Sequence, residues 1–174
     1  EPIMADATRP PLRPDADLAI AHPECGPWNV MNAVHGNQDE QPRQIEDARE
    51  ACERLADHYI IENVPDAPLN DPVVLRGSYF GLPITKERAF ETSFPVPQPT
   101  VQQPLHDHVG NFDRYDRPRR WWETVMGVEN WHPIDPLVNA GMPRAYIEYL
   151  LQGYFLAVDQ EGTADRNGRE VAEA

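Results

Sequence analysis

The stretch that decides the predicted fold is Asp17-Leu18-Ala19-Ile20-Ala21, which runs into a turn at His22-Pro23-Glu24-Cys25-Gly26. A second stretch, His58-Tyr59-Ile60-Ile61, runs into a turn at Glu62-Asn63-Val64-Pro65. Each is a short apolar run that breaks into a turn containing proline or glycine, as buried parallel strands commonly do. Two consecutive strands are therefore predicted, near residues 17–21 and 58–62.

A helix is predicted between the two strands, over residues 42–57. Pro42 suits the first helical position. Apolar residues recur at helical spacing along the segment, namely Ile45, Ala48, Cys52, Leu55 and Ala56. Strand, helix and strand make a βαβ unit, whose crossover sets both strands parallel in one sheet. Because open α/β sheets bind ligands beyond the carboxyl ends of their strands, Cys25 and Glu62 are expected to line one site.

A thiol and a carboxyl at one edge of a sheet suit addition to an electron-poor ring. A thiolate can add to a ring carbon, while a carboxylic acid protonates or hydrogen-bonds a ring nitrogen and draws electrons away. Acting together, Cys25 and Glu62 could make C6 of cytosine electrophilic and C5 nucleophilic, ready to accept a methyl group.

Several segments match a known pattern in the right order. Pro23-Glu24-Cys25 is similar to a Pro-Pro-Cys nucleophile loop, and Glu62-Asn63-Val64 matches a Glu-Asn-Val loop. Phe80-Gly81-Leu82-Pro83 followed by Lys86-Glu87-Arg88-Ala89-Phe90 is similar to a Gly-x-Pro-Gln-x-Arg-x-Arg segment, and residues 138–143 to a late Gly-Asn-x-Val-Pro segment. Over residues 4–157 the chain thus resembles the DNA cytosine-5 methyltransferase family, which depends on S-adenosylmethionine.

The resemblance implies an α/β fold with a Rossmann-like methyltransferase sheet and helices on both faces. The family's first βαβ unit, with its glycine-rich turn, has no counterpart in the chain, which is therefore expected to be truncated at its N-terminus relative to the family. By the resemblance, Cys25 attacks C6 of a flipped cytosine, Glu62 acts at N3 and the amino group, and Arg88 holds the base.

The resemblance also implies a cofactor, S-adenosylmethionine. Asp6 and Ala7 stand where the family places an aspartate beside the adenine, and Pro23 and Asn139 belong to two further cofactor-binding segments. Since the glycine-rich turn is not found, an upstream segment or a second chain is expected to complete the pocket.

DNA is the implied partner, although the net charge of −14 argues against a broad DNA-binding surface. Arg114, Arg117, Arg119 and Arg120 cluster beside Trp121 and Trp122, a combination that suits gripping a nucleic-acid strand. The predicted nucleic-acid contacts are Lys86, Arg117, Arg119 and Arg120. The alternative is a solvated basic loop that pairs with an acidic surface.

Residues 1–158 are predicted to form one partial catalytic domain. It includes a strand over 87–94, a short loop over 95–118 at the family's target-recognition position, a helix over 119–126 ending at Gly127, and a helix over 143–158. Residues 159–174 are small and polar, and predict a disordered tail. No apolar run approaches the roughly 20 residues of a membrane span, and a cytoplasmic location is expected.

Other interpretations of these residues remain open. Cys25 could be a small buried hydrophobe, and Arg88 could simply pair with Glu87 or Glu91. A zinc site could be assembled from His22, Cys25, His106 and His108, but without a second paired cysteine no metal is predicted. The alternative function is a catalytically inactive, methyltransferase-like interaction module or partner subunit.

Overall fold

A computed structural model describes residues 16–29, 33–34, 41–100, 117–129 and 141–172, with side chains up to residue 163 in the last segment. The chain divides into two compact units. Unit 1 comprises Glu1–Leu75 and Glu87–Ser93, and unit 2 comprises Arg76–Lys86 and Phe94–Ala174.

Unit 1 contains a four-stranded sheet. Its strands are β1 (Ala16–Ala21), β2 (Ala56–Asn63), β3 (Val73–Leu75) and β4 (Arg88–Thr92), in the spatial order β1-β2-β4-β3. β1 and β2 are parallel, whereas β4 is antiparallel to both of its neighbours, β2 and β3. The predicted parallel pair of consecutive strands is confirmed, and the sheet as a whole is mixed.

Helix α1 (Ile45–Leu55) lies between β1 and β2 in the chain and contacts both strands. It begins at Ile45, three residues later than predicted, and Glu46 and Asp47 in its first turn complement the positive end of the helix dipole. At its other end β2 begins at the residue directly after Leu55. The backbone N–H of Ala56, already extended, donates to the carbonyl of Cys52 and closes the helix.

The pairing register assigns side chains to the two faces of the sheet. Glu62 lies opposite Phe90 of β4, and Ile61 lies opposite Glu91. Because side chains alternate along a strand, these two pairs point to opposite faces. Arg49 of α1 bonds to Glu91, so α1 covers the face of Ile61 and Glu91. Glu62 therefore lies on the face that α1 does not cover.

Apolar side chains of the sheet and of α1 form the core of unit 1. Burying each large one contributes roughly 1.5–3 kcal/mol. The buried apolar residues of this unit are Ile45, Ala51, Cys52, Ile60, Ile61, Ala67, Val73, Leu75, Ala89 and Phe90. This packed core fixes the strands from which the turns after β1 and β2 extend.

Unit 2 contains a 3-10 turn (Gly77–Phe80) and two helices, α2 (Arg119–Met126) and α3 (Arg144–Ala172). α2 has the bounds that the sequence predicts and ends at Gly127, whose φ of 72° is readily adopted by glycine. Its apolar face packs into a cluster of Ile84, Trp122, Val125 and Met126.

Helix α3 begins one residue later than predicted and continues beyond Val158. It is assigned as far as Ala172, and within its described part the Thr163 hydroxyl donates to the Asp159 carbonyl, as helical neighbours do. Residues 159–172 of the predicted disordered tail are therefore assigned to the helix, and residues 173–174 lie outside the described residues. Of the predicted 95–118 loop, the described residues 95–100 and 117–118 form neither helix nor strand, and the rest lies outside the described residues.

The chain is thus an α/β protein with a mixed four-stranded sheet and three helices in its described part. A Rossmann-like arrangement with helices on both faces and a missing first βαβ unit stays a prediction. None of the helices seen in the described segments is both long and apolar enough to cross a membrane.

Candidate active site at the ends of β1 and β2

The turn after β1 presents Cys25 at the protein surface. Cys25 immediately precedes a 3-10 turn (Gly26–Trp28), and its carbonyl accepts a hydrogen bond from the Trp28 N–H at 3.1 Å. The residue is partly exposed and forms no disulfide. It is therefore not sealed in the core, as the buried-hydrophobe interpretation would require.

Asn63, the last residue of β2, ties this turn to its own strand. Its side-chain Nδ2 donates to the Pro23 carbonyl at 3.0 Å, and its Oδ1 accepts the Val64 N–H at 2.9 Å. Asn63 is 1% exposed, so both bonds are shielded from water. The turn that carries Cys25 is thereby held beside the end of β2 that carries Glu62, as the two parallel strand ends predict.

Glu62 is clamped between two basic side chains. Its Oε1 lies 2.8 Å from Arg88 Nε, and its Oε2 lies 2.9 Å from His22 Nδ1. The side chains of Glu62 and Arg88 are 11% and 15% exposed, whereas that of His22 is 49% exposed. Arg88 also donates to the Glu87 carbonyl. Arg88 therefore forms an ion pair with Glu62 across the two neighbouring strands.

His22 is the residue whose role the sequence interpretation missed, because it considered this histidine only as a zinc ligand. The signal lay in the strand register. Ala21 is opposite Ile61, so the next residue of each strand brings His22 beside Glu62. Choosing that register requires knowing how β1 and β2 align, which the two apolar runs alone do not fix.

Glu24 has a local partner within the turn. Its Oε1 accepts the Gly26 N–H at 3.2 Å, so this carboxylate caps the turn around Cys25. Pro23, predicted to bind cofactor, uses its carbonyl for the bond from Asn63. Asp6, Ala7 and Asn139, the other three predicted cofactor residues, lie outside the described residues.

A second carboxylate, Glu91, lies on the face of the sheet covered by α1. Arg49 donates to both of its oxygens, at 2.6 and 2.8 Å, and the Tyr59 hydroxyl and the Asn70 N–H donate at 3.1 and 2.8 Å. Its side chain is 2% exposed. Burial by itself raises the pKa of Glu91, but the hydrogen bonds from Arg49 and Asn70 outweigh burial and hold it below its usual value. Burial and the nearby charge of Glu91 raise the pKa of Tyr59 to about 12.

The predicted nucleic-acid residues belong to unit 2 and differ in their surroundings. The Arg117 guanidinium lies over the Trp121 ring at 5.6 Å, and Arg119 donates twice to Glu123, at 2.9 and 2.8 Å. Arg120 is exposed and lines an open cleft of about 580 Å³.

The burial of Lys86 corrects its predicted role as a nucleic-acid contact. The residue is 3% exposed, and its carbonyl accepts the Tyr146 hydroxyl at 2.6 Å. A side chain enclosed in this way cannot reach a phosphate group, so Lys86 leaves the set of nucleic-acid contacts.

Metal binding has no candidate in the segments that the structure describes, where no three histidine, cysteine or acidic residues group as ligands would. His106 and His108, which the zinc interpretation required, lie outside those segments.

Comparisons with models of known protein families and with curated proteins found no match for the chain. Membership of the DNA cytosine-5 methyltransferase family therefore stays a prediction that rests on the residues of the chain itself.

Proposed function

We propose that the chain carries the catalytic residues of a DNA cytosine-5 methyltransferase, which transfers a methyl group from S-adenosylmethionine to C5 of a cytosine. The observation that supports this most is the contact of Glu62 with Arg88, beside the turn of Cys25. Three residues far apart in the chain were predicted to share one site, and the sheet and the Asn63–Pro23 bond bring their segments to one edge.

In this proposal the cytosine leaves the DNA duplex, because C6 is inaccessible within the base stack. The Cys25 thiolate forms a bond to C6, the electron pair of the C5–C6 double bond shifts to form a C4–C5 double bond, and the pair of the C4–N3 double bond moves onto N3. Glu62 supplies a proton to N3, which stabilises the charge, and Arg88 orients Glu62 and the base. After C5 has gained its new substituent, water takes the C5 hydrogen as a proton and the electrons of that bond re-form the C5–C6 double bond. The bond from sulfur to C6 then breaks and frees Cys25, and N3 returns its proton to Glu62.

S-adenosylmethionine would supply an electrophilic methyl group to C5. Of the residues expected to hold it, only Pro23 is described, and its carbonyl is engaged by Asn63. The steps assigned to the chain are therefore those of Cys25, Glu62 and Arg88. An upstream segment or a second chain completing the cofactor pocket belongs to the same proposal.

The DNA strand would be bound by two arginines of α2 and by Arg117, which stands two residues before the helix. Arg120 is exposed, Arg117 stacks on an aromatic ring as strand-binding surfaces do, and Arg119 would have to exchange Glu123 for a phosphate. The pair between Arg119 and Glu123 is worth only about 0.3–0.5 kcal/mol, so this exchange costs little.

The exchange of the C5 hydrogen of cytosine with water tests the proposal without any cofactor. When sulfur has added to C6, a proton from water can add to C5, and reversal of the addition then releases the original hydrogen. We expect the wild-type chain to release tritium from DNA that carries 5-tritiated cytosine. Glu62→Gln should slow release about 10²-fold, because the proton for N3 is lost.

The control for the nucleophile is the second cysteine of the chain. Cys52 is 4% exposed, and burial raises the pKa of its thiol, so Cys52→Ser should leave tritium release unchanged. Cys25→Ser should abolish it. If Cys25→Ser released tritium at the wild-type rate, the proposed mechanism would be wrong.

The alternative, an inactive interaction module, is favoured by one observation on α3. Phe155, Leu156 and Val158 expose 64%, 64% and 39% of their surfaces, and exposed apolar patches mark interaction surfaces. The wild-type chain would then bind a partner without releasing tritium from DNA, whereas the enzyme releases it.

A further inference from the structure

We propose that His22 is a positioning residue that delivers a proton to Glu62. This inference rests on the proposed function, because it assigns the source of the proton that Glu62 supplies to N3 of the base. The structural observation is that the two oxygens of Glu62 have partners of different kinds, one enclosed and one open to water.

Arg88 and His22 divide two tasks at Glu62. Arg88 has a side chain that is 15% exposed, and a guanidinium stays protonated in proteins, so it orients Oε1 but releases no proton. The His22 side chain is 49% exposed and its Nδ1 lies 2.9 Å from Oε2. An imidazole in contact with both water and the carboxyl can load a proton on one side and release it on the other.

The groups that surround His22 leave this path open. Glu62, on β2, contacts His22 directly. Arg88, on β4, contacts Glu62 and so influences His22 through that carboxylate. On the turn of His22 itself, Glu24 is engaged with the Gly26 N–H, and Cys25 follows one residue later. Of His22, Glu62 and Arg88, the imidazole has the most exposed side chain, at 49%.

The proton balance closes without a further reactant. The imidazolium gives its Nδ1 proton to Oε2 of Glu62 and becomes neutral imidazole. Glu62 passes a proton to N3 while sulfur bonds to C6. When the addition reverses, N3 returns the proton to Glu62, and Glu62 returns it to His22.

The first part of the test requires no activity. Ring ¹⁵N signals of His22 are compared by NMR in the wild-type chain and in Glu62→Gln, with His58 of the same unit as the reference. The His22 signals should differ between the two proteins and those of His58 should not. Identical His22 signals would show that no contact with Glu62 exists in solution, which would overturn the inference while leaving Cys25 and Glu62 as proposed.

The second part uses the dependence of tritium release on pH. Sulfur attacks as the thiolate, which higher pH favours, whereas proton delivery by the imidazole requires its protonated form, which lower pH favours. His22→Gln keeps a hydrogen-bond donor near Glu62 but has no proton to transfer. We expect its release rate to fall about 10²-fold at pH 6.5 and to rise with pH more steeply than the wild-type rate, because loss of the protonated histidine no longer opposes the gain in thiolate.

A third variant separates proton delivery from packing. His22→Ala should be rescued by added imidazole, more strongly at pH 6 than at pH 8, because the protonated form is the donor. His58→Gln is the matched control and should behave as the wild type at every pH.

The outcomes separate the two proposals. A wild-type chain with no tritium release refutes the proposed function, and the role of His22 in it falls as well. A wild-type chain that releases tritium, together with a His22→Gln protein of unchanged rate and pH profile, refutes only the role of His22.

Discussion

Glu62 and Glu91 stand on neighbouring strands and point to opposite faces of one sheet, yet their surroundings differ. Glu91 is 2% exposed, and Arg49, Tyr59 and Asn70 together donate four hydrogen bonds to it. The Glu62 side chain is 11% exposed and shares one oxygen with a histidine that is half in water. An enclosed carboxylate with fixed donors suits stability, whereas one with an exchangeable partner can admit a substrate.

The largest expected effect is on stability, at Glu91. In Glu91→Gln the buried guanidinium of Arg49 loses its buried counter-charge and keeps only the exposed Glu46, which should lower the free energy of unfolding by about 3 kcal/mol. Urea denaturation measures the change. Glu46→Gln is the control, since Glu46 also pairs with Arg49 but its side chain is 78% exposed, and it should cost at most about 0.5 kcal/mol. Equal losses in the two variants would show that enclosure of Glu91 is not what stabilises the sheet.

The next effect is the dependence of stability on acid. The pKa of Glu91 is lowered in the folded chain, so its contribution is fully present above the ordinary pKa of glutamate in an unfolded chain, about 4.3. It is lost as pH falls below that value and through the lowered pKa of the folded state. Urea midpoints between pH 7 and pH 3 should therefore fall more steeply for the wild type than for Glu91→Gln. Parallel curves would mean that Glu91 titrates alike in both states.

Glu62→Gln should have a small effect on stability and a large effect on activity. We expect it to lower the free energy of unfolding by only about 1 kcal/mol, because water can reach this cluster through His22. The same variant should lose most of its tritium release. A substitution elsewhere in the sheet that costs equally little stability should not reduce the release. A stability loss as large as that of Glu91→Gln would erase the distinction between the two carboxylates.

The smallest expected effect concerns the Tyr59 hydroxyl. Its pKa is raised to about 12 in the folded chain, above the ordinary value of about 10. The stability that this shift reflects is present below pH 10 and is lost as pH rises towards 12. Tyr59→Phe should cost about 0.5 kcal/mol at pH 7 and flatten the decline of the urea midpoint above pH 10. A decline that persists unchanged in Tyr59→Phe would assign it to another group.

The parts of the fold that were predicted from the sequence depend on local patterns. β1, α1 and β2 follow from two apolar runs and one helical repeat, and α2 ends at Gly127 because the C-terminal turn needs a left-handed residue. The insertion of β4 between β2 and β3 depends on pairing between distant segments, which no local pattern encodes. The end of α3 was misplaced because the polar residues after Val158 predict a tail, yet they continue the helix.

The same division holds in the candidate site. Cys25 and Glu62 were predicted because each follows an apolar run, and Arg88 was predicted through its motif. His22 could not, since its contact with Glu62 depends on strand register, and Lys86 was misassigned because its burial depends on tertiary packing.

The direct junction of α1 and β2 has a consequence for how this chain can vary in length. Leu55 ends the helix and Ala56 begins the strand, so no connecting residue is free to absorb an insertion or deletion. One extra residue at this point would either unwind the last helical turn or slide β2 by one position. A slide of one position turns every side chain of the strand to the other face, and Glu62 would then point towards the helix. Related sequences of this fold should therefore accept insertions in the turns after the strands, but keep the 55–56 junction at constant length.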